Sequence, residues 1–158
     1  MPDRHRRARH EPPSLLDHVL GHPFEVAVSA WWIVAGVLVT LTVIGSGTPA
    51  SASLGRLPML LMLGVGATVG TGGILALAGV IWPGTRLTTA WAVERAGWLL
   101  GGAGWTAYLA AVAWAYPRSL VTISLAAVMV TGAALRIVAL YQHERQVRAD
   151  VHETGTDA

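Results

Sequence analysis

The chain lacks cysteine and lysine, has one phenylalanine, and is poor in charge, since only 13% of its 158 residues are charged. Soluble domains carry about 25% charged residues, so the composition argues against a water-soluble domain. The lack of cysteine excludes disulfides, thiolate metal ligands and cysteine nucleophiles. A pI of 9.7 could point to nucleic acid. Because most of the arginines flank apolar runs, as membrane insertion requires, we expect no nucleic-acid partner.

Four long apolar runs dominate what is present, and short connectors rich in Gly, Pro and Arg separate them. The runs cover residues 26–44, 59–82, 96–116 and 120–141. A bilayer core of ~30 Å takes about 20 helical residues to cross, and each run is close to that length. Every proline lies at or outside a run boundary, which suits straight helices. The sequence therefore predicts an all-α membrane protein with four transmembrane helices in an antiparallel bundle, surrounded by a lipid bilayer.

The regions outside the runs complete the predicted organisation. Residues 1–13 read as a disordered basic tail, residues 14–148 as the transmembrane domain with a short juxtamembrane N-terminal helix, and residues 149–158 as a second disordered tail. Only Arg56 and Arg118 flank one side of the bundle, and the other arginines flank the opposite side. The positive-inside rule then places both termini in the cytoplasm and the chain in the inner membrane as a multi-pass protein. Alternatively, Ala50-Ser51-Ala52 resembles a signal cleavage site, and cleavage would leave three spans.

Glycine supplies the predicted helix-packing surfaces, because small residues let helix backbones approach closely in lipid. The candidate packing positions are Gly66, Gly70, Gly73, Gly97, Gly101 and Gly104. We expect them to pack the helices within one chain. The second span carries two small faces, which is more than one neighbour needs, and this favours additional contacts between subunits.

Large aromatic and charged side chains flank this glycine groove on the third span. Trp91, Trp98 and Trp105 recur every seven residues and form a predicted packing ridge. Glu94 and Arg136 lie at similar distances from the turn at Pro117, so a rise of ~1.5 Å per residue places their backbones within about 6 Å in depth. We predict an interhelical ion pair between them that fixes helix register, in preference to a proton-transfer role.

No catalytic, cofactor or metal site is recognisable in the sequence. His18, His22 and Glu25 have metal-ligand spacing, but Gly21 and Pro23 are expected to break the helix that would align them. There is no phosphate loop, nucleophile elbow or zinc-protease motif. Ion-coupled carriers and haem carriers need polar or His ligands inside the membrane, and the runs contain almost none. We therefore predict a protein that is not an enzyme and has no cofactor.

Three strings carry a family resemblance: HPFE before the first span, VERAG at the start of the third, and LRIVALYQHERQVR at the end of the fourth. Together with the order of the spans, they resemble small four-span membrane proteins of actinobacterial phages and mobile elements. Some of these are regarded as holins or holin-like proteins. The resemblance implies oligomers in the host inner membrane that permit lysis, without catalytic residues.

The leading hypothesis is thus a holin-like protein that self-associates in the inner membrane. The alternative is a non-lytic accessory or scaffold subunit that binds another membrane protein, such as a plasmid-transfer factor. A third hypothesis, which the sequence favours less, is a subunit of a small-solute channel or transporter.

Overall fold

A computed structural model describes residues 19–46, 58–82 and 87–155. These residues are helical except at short turns and contain no strand, so the prediction of an all-helical chain is confirmed for the described residues. The helices are α1 (Pro23–Ser46), α2 (Met59–Val80), α3 (Leu87–Ala115) and α4 (Leu120–Gly155). The predicted basic tail, most of the juxtamembrane helix, Ala50-Ser51-Ala52 and the last three residues lie outside the described residues.

Proline marks the boundaries of these helices. Pro23 opens α1, where a missing backbone N–H has no consequence because the first N–H groups of a helix have no partner within it. Pro58 precedes α2, and its carbonyl accepts the backbone N–H of Met62 at 3.1 Å. Pro117 lies in the turn between α3 and α4, which the Ser119 N–H closes on the Tyr116 carbonyl at 2.9 Å.

Helix α4 extends further than the sequence predicts. Residues 149–155, which we assigned to a disordered tail, continue the helix to Gly155. The physical reason is local, because no proline follows Pro117 and no glycine lies between Gly132 and Gly155 to stop the helix.

Consecutive helices pack against each other, α1 on α2, α2 on α3 and α3 on α4. Contacts between α1 and α2 pair late residues of one helix with early residues of the other, as do the contacts between α2 and α3, so these neighbours are antiparallel. The outward faces carry exposed Leu, Val and Ile side chains, including Leu41 at 61%, Leu60 at 84% and Val121 at 84%. An apolar surface of this extent would be unstable in water and is typical of lipid contact.

Three of the helices are long and apolar enough to cross a membrane, which indicates a multi-pass membrane protein. They comprise Pro23–Gly45, Met59–Val80 and Leu120–Val147. Helix α3, which contains the predicted third span, is not among them. Its glycines and tryptophans lower its mean hydropathy, and Glu94 and Arg95 lie in its first third.

The glycine faces are used within the chain. A Cβ added at Gly36 of α1 would lie 2.5 Å from the Gly70 Cα, and one at Gly73 would lie 2.7 Å from the Ser29 carbonyl oxygen. On the other side of α2, a Cβ at Gly72 would overlap the backbone of Gly101. The two small faces of α2 are therefore each covered by one neighbouring helix, α1 or α3, because α2 lies between them. The glycines of α2 therefore provide no additional small face for contacts between subunits.

Candidate functional site

Three charged side chains from three helices meet at one end of the bundle. Arg136 of α4 donates to the Glu94 carboxylate of α3 from Nε at 2.8 Å and from Nη2 at 2.7 Å. Its third donor, Nη1, lies 2.7 Å from Oε1 of Glu25, in the first turn of α1. The structure thus brings the predicted pair Glu94 and Arg136 together and adds Glu25. We call Glu25, Glu94 and Arg136 the charged triad.

Glu94 is the most enclosed member of the charged triad, with 4% of its surface exposed. Its Oε1 also accepts the indole N–H of Trp98, one helical turn further along α3, at 3.3 Å. A buried carboxylate needs ionic and hydrogen-bonding partners to offset the loss of water. Arg136 and Trp98 supply both for Glu94.

Helix packing fixes the position of Glu94. Gly79, near the end of α2, faces it so closely that an added Cβ would lie 2.5 Å from the Glu94 Cα. Because Gly79 has no side chain, α2 can approach the backbone of Glu94 closely. This close approach fixes the distance between α2 and the buried carboxylate.

A second polar cluster lies beside the charged triad, between α3 and α4. Arg95 Nη2 contacts Glu144 Oε2 at 2.9 Å, and its guanidinium lies 4.4 Å from the centre of the Tyr141 ring. The Arg95 guanidinium is thus held by a carboxylate and an aromatic ring. Trp91 and His143 meet edge to face with ring centres 5.5 Å apart.

A cavity of about 360 Å³ adjoins the charged triad. Glu94, Val80 and Leu140 form its buried part, whereas His22, Trp82 and His143 are exposed at its edge. Arg136 and Trp91 complete the polar and aromatic part of the lining. The volume is within the range of small-molecule sites, ~300–1,000 Å³.

Two members of the predicted tryptophan ridge are core residues. Trp98 is 2% exposed and Trp105 is 8% exposed, whereas Trp91 is half-buried at the cavity. The indole N–H of Trp98 donates to Glu94 on its own helix.

Two residues in and next to the charged triad, Glu25 and Trp32, were not predicted from the sequence to lie there. Trp32 lies near a span end, a position typical of interfacial anchors, but it is fully buried. Its ring lies in the space that a side chain at Gly101 would occupy and meets the Trp98 ring edge to face at 4.9 Å. The comparison of depths along the helices that paired Glu94 with Arg136 could also have found Glu25. Glu25 lies in the first turn of α1, at the same end of the bundle.

The interior also holds polar atoms without a partner. Ser29 Oγ, Trp32 Nε1 and Trp105 Nε1 are buried and have no hydrogen bond within the part of the chain that the structure describes. Ser29 follows Glu25 by four residues, so the α1 face that begins at the charged triad continues inward as Ser29 and Trp32.

The described residues include no group of three His, Cys, Asp or Glu that could hold a metal ion. His22 Nδ1 and Glu25 Oε1 are 3.9 Å apart, and His18, the third residue of that spacing, lies outside the described residues. Comparison with protein-family models, curated proteins and solved structures gave no match. The chemistry that the arrangement shows is charge pairing between three helices.

Proposed function

We propose that the chain is a holin-like protein that self-associates in the cytoplasmic membrane, with four spans and both termini in the cytoplasm. The fourth span would be α3. Its 29 residues give a length of about 44 Å, and it packs between α2 and α4, which are both candidate spans. Because α3 packs antiparallel to both α2 and α4, these two helices run in the same direction. If both cross the bilayer, α3 would have to cross it as well to join the end of α2 to the start of α4.

The observation that carries self-association is the open face of α4. Among the helices described, α4 packs mainly on α3, although Arg136 also reaches Glu25 of α1. In its most apolar window 17% of the residues are buried, compared with 22% for α1 and 33% for α2. Its buried residues Ala126, Ala133 and Leu140 face α3. The opposite side carries Ser124 and Thr131, both exposed, with half-buried Ala127 between them. Small residues and hydroxyl groups are enriched where transmembrane helices associate.

A single introduced cysteine tests this face, because the chain has none of its own. We expect Thr131→Cys to form disulfide-linked dimers in membranes treated with a copper–phenanthroline oxidant. Leu38→Cys is the control, since Leu38 is 52% exposed on α1, outside the proposed contact. Equal cross-linking at both positions would indicate random collision and contradict association through α4.

Induced expression tests the lytic part of the proposal. A holin is expected to stop growth abruptly and collapse the membrane potential at a set time. Thr131→Leu should shift that time by filling the small-residue surface, whereas Thr71→Leu, the same change at an exposed position on α2, should leave it unchanged.

Gly66 and Gly70 are poor choices for this experiment because they face α1 within the chain. If high-level expression leaves the potential intact, the lytic function is wrong, and the non-lytic accessory subunit takes its place. A gene neighbourhood that includes an endolysin would support lysis independently.

A further inference from the structure

We propose that the cavity beside the charged triad is a binding site for an organic ammonium ion, supplied by a soluble amine or by the amine headgroup of a lipid. The proposal does not depend on self-association or lysis. It rests on three features: the charge balance of the triad beside the cavity, the second carboxylate oxygen of Glu94 in the lining, and the aromatic residues of the lining.

The charge balance of the triad is negative. Glu25 and Glu94 are two carboxylates that share one guanidinium, that of Arg136. The neighbouring pair of Arg95 and Glu144 is neutral as a unit and adds no compensating charge. His22, 3.9 Å from Glu25, supplies a positive charge only when it is protonated. A net negative charge next to a buried carboxylate favours a cation in the cavity, because charges in a low-dielectric environment interact strongly.

The hydrogen-bonding pattern also favours a cation over an anion. Every contact made by the two carboxylates within the described residues falls on Oε1, including those from Arg136, Trp98 and His22. Of the two carboxylates, Glu94 lines the cavity, and its Oε2 can accept an N–H from a ligand there. Three guanidinium nitrogens of Arg136, in contrast, already contact carboxylates, which leaves little capacity to hold an anion.

The aromatic residues complete the site. Trp82, Trp91 and His143 line the cavity together with Glu94 and Arg136. Indole faces attract cations, most strongly where water is excluded, and a ring cluster next to a carboxylate is a recurring way to bind an ammonium group. The volume of about 360 Å³ accommodates an amine with an apolar substituent.

The test uses the full-length protein in nanodiscs of phosphatidylglycerol, with calorimetry and tryptophan fluorescence as readouts. The probes are 2-phenylethylammonium and 2-phenylethanol, which have similar shapes and differ in charge. We expect the amine to bind about tenfold more tightly than the alcohol, as one ion pair in a partly buried site would give. Equal binding of the two probes, or tighter binding of phenylacetate, would overturn the proposal.

Matched variants assign the binding to the cavity. Glu94→Gln leaves Arg136 paired with Glu25 and removes the excess charge, so the preference for the amine should fall to about twofold or less. Glu144→Gln makes the same chemical change at the same end of the bundle, outside the cavity lining, and should keep the preference. If Glu94→Gln fails to fold, Glu25→Gln removes the excess charge from α1 instead. Equal effects of the triad and Glu144 variants would place the amine elsewhere.

A lipid comparison identifies the source of the ammonium group. When phosphatidylethanolamine replaces half of the phosphatidylglycerol, a lipid ligand competes, and the apparent affinity for 2-phenylethylammonium falls more for the unaltered protein than for Glu94→Gln. A soluble ligand predicts the same fall in both, since only the surface charge of the membrane then differs.

Discussion

Helix α3 meets α2 through backbone on one side and α4 through side chains on the other. Between α2 and α3, Gly72, Gly79 and Gly97 leave no room for a Cβ atom. Between α3 and α4, a Cβ added at Gly102 would lie 3.1 Å from the Ala133 Cβ. The ionic contacts between these two helices lie at the end of the bundle that holds Glu94 and Arg95. The first interface depends on shape along its whole length, whereas the second depends strongly on a few charged groups. The two interfaces should therefore respond to different substitutions.

The largest effect is expected at the charged end. Arg136→Leu leaves Glu25 and Glu94 as neighbouring carboxylates without their guanidinium, and loss of one partner from a buried ion pair lowers stability by about 3–5 kcal/mol. The free energy of unfolding in detergent measures this change.

Rescue of Arg136→Leu separates the charged triad from a simple pair. Adding Glu94→Gln alone should restore stability only in part, and adding both Glu94→Gln and Glu25→Gln should restore most of it. Full rescue by Glu94→Gln alone would show that Glu25 does not contribute.

The glycine interface should respond to a single methyl group. In Gly72→Ala the new Cβ would overlap the Gly101 backbone, so α2 and α3 must separate, with an expected loss of about 1–3 kcal/mol. Gly64→Ala on the same helix is the control, because nothing lies within 4 Å of its added Cβ. Equal unfolding free energies for the two variants would contradict the close approach of α2 and α3.

A smaller effect is expected where the aromatic core meets the charged triad. Trp98→Phe keeps a ring against Trp32 but removes the N–H that Glu94 accepts at 3.3 Å, which should lower stability by about 1–2 kcal/mol. Trp114→Phe, at a position 91% exposed, should change the unfolding free energy little. If Trp98→Phe and Trp114→Phe unfold at the same temperature, the hydrogen bond from Trp98 to Glu94 does not contribute to stability.

The smallest effect is expected at the second polar cluster. Glu144→Gln removes the charge partner of Arg95, but neither residue is as enclosed as Glu94, and Arg95 keeps its contact with Tyr141. Ion pairs of this kind contribute about 1 kcal/mol or less. Chemical denaturation should show a loss well below that of Arg136→Leu, and a loss of similar size would mean that the two clusters act as one unit.

Residue type and spacing along the chain predicted much of this architecture. Apolar runs of nearly bilayer length predicted the helices, and prolines predicted their boundaries. The similar distances of Glu94 and Arg136 from Pro117 predicted their ion pair. These predictions succeed because helix rise and membrane thickness are fixed lengths, so position in sequence converts directly to depth.

Other features could not be derived from a single helix. Trp31 and Trp32 are adjacent and look equivalent in the sequence, yet Trp31 is 50% exposed and Trp32 is fully buried. The difference arises because Gly101 of α3 leaves space for the Trp32 ring. The sequence alone likewise did not single out Ser124, Ala127 and Thr131 of α4. They form its open side only because α3 covers the opposite side.

The sequence by itself determined that these helices are apolar, where they begin, and at what depth each charged or small residue lies, because those properties depend on local composition and a constant helix rise. The tertiary structure decided which glycine faces which helix, that Arg136 bridges two carboxylates, and that a cavity remains beside them. Those properties depend on the rotation and order of the helices around the bundle, which only the simultaneous packing of all four helices fixes.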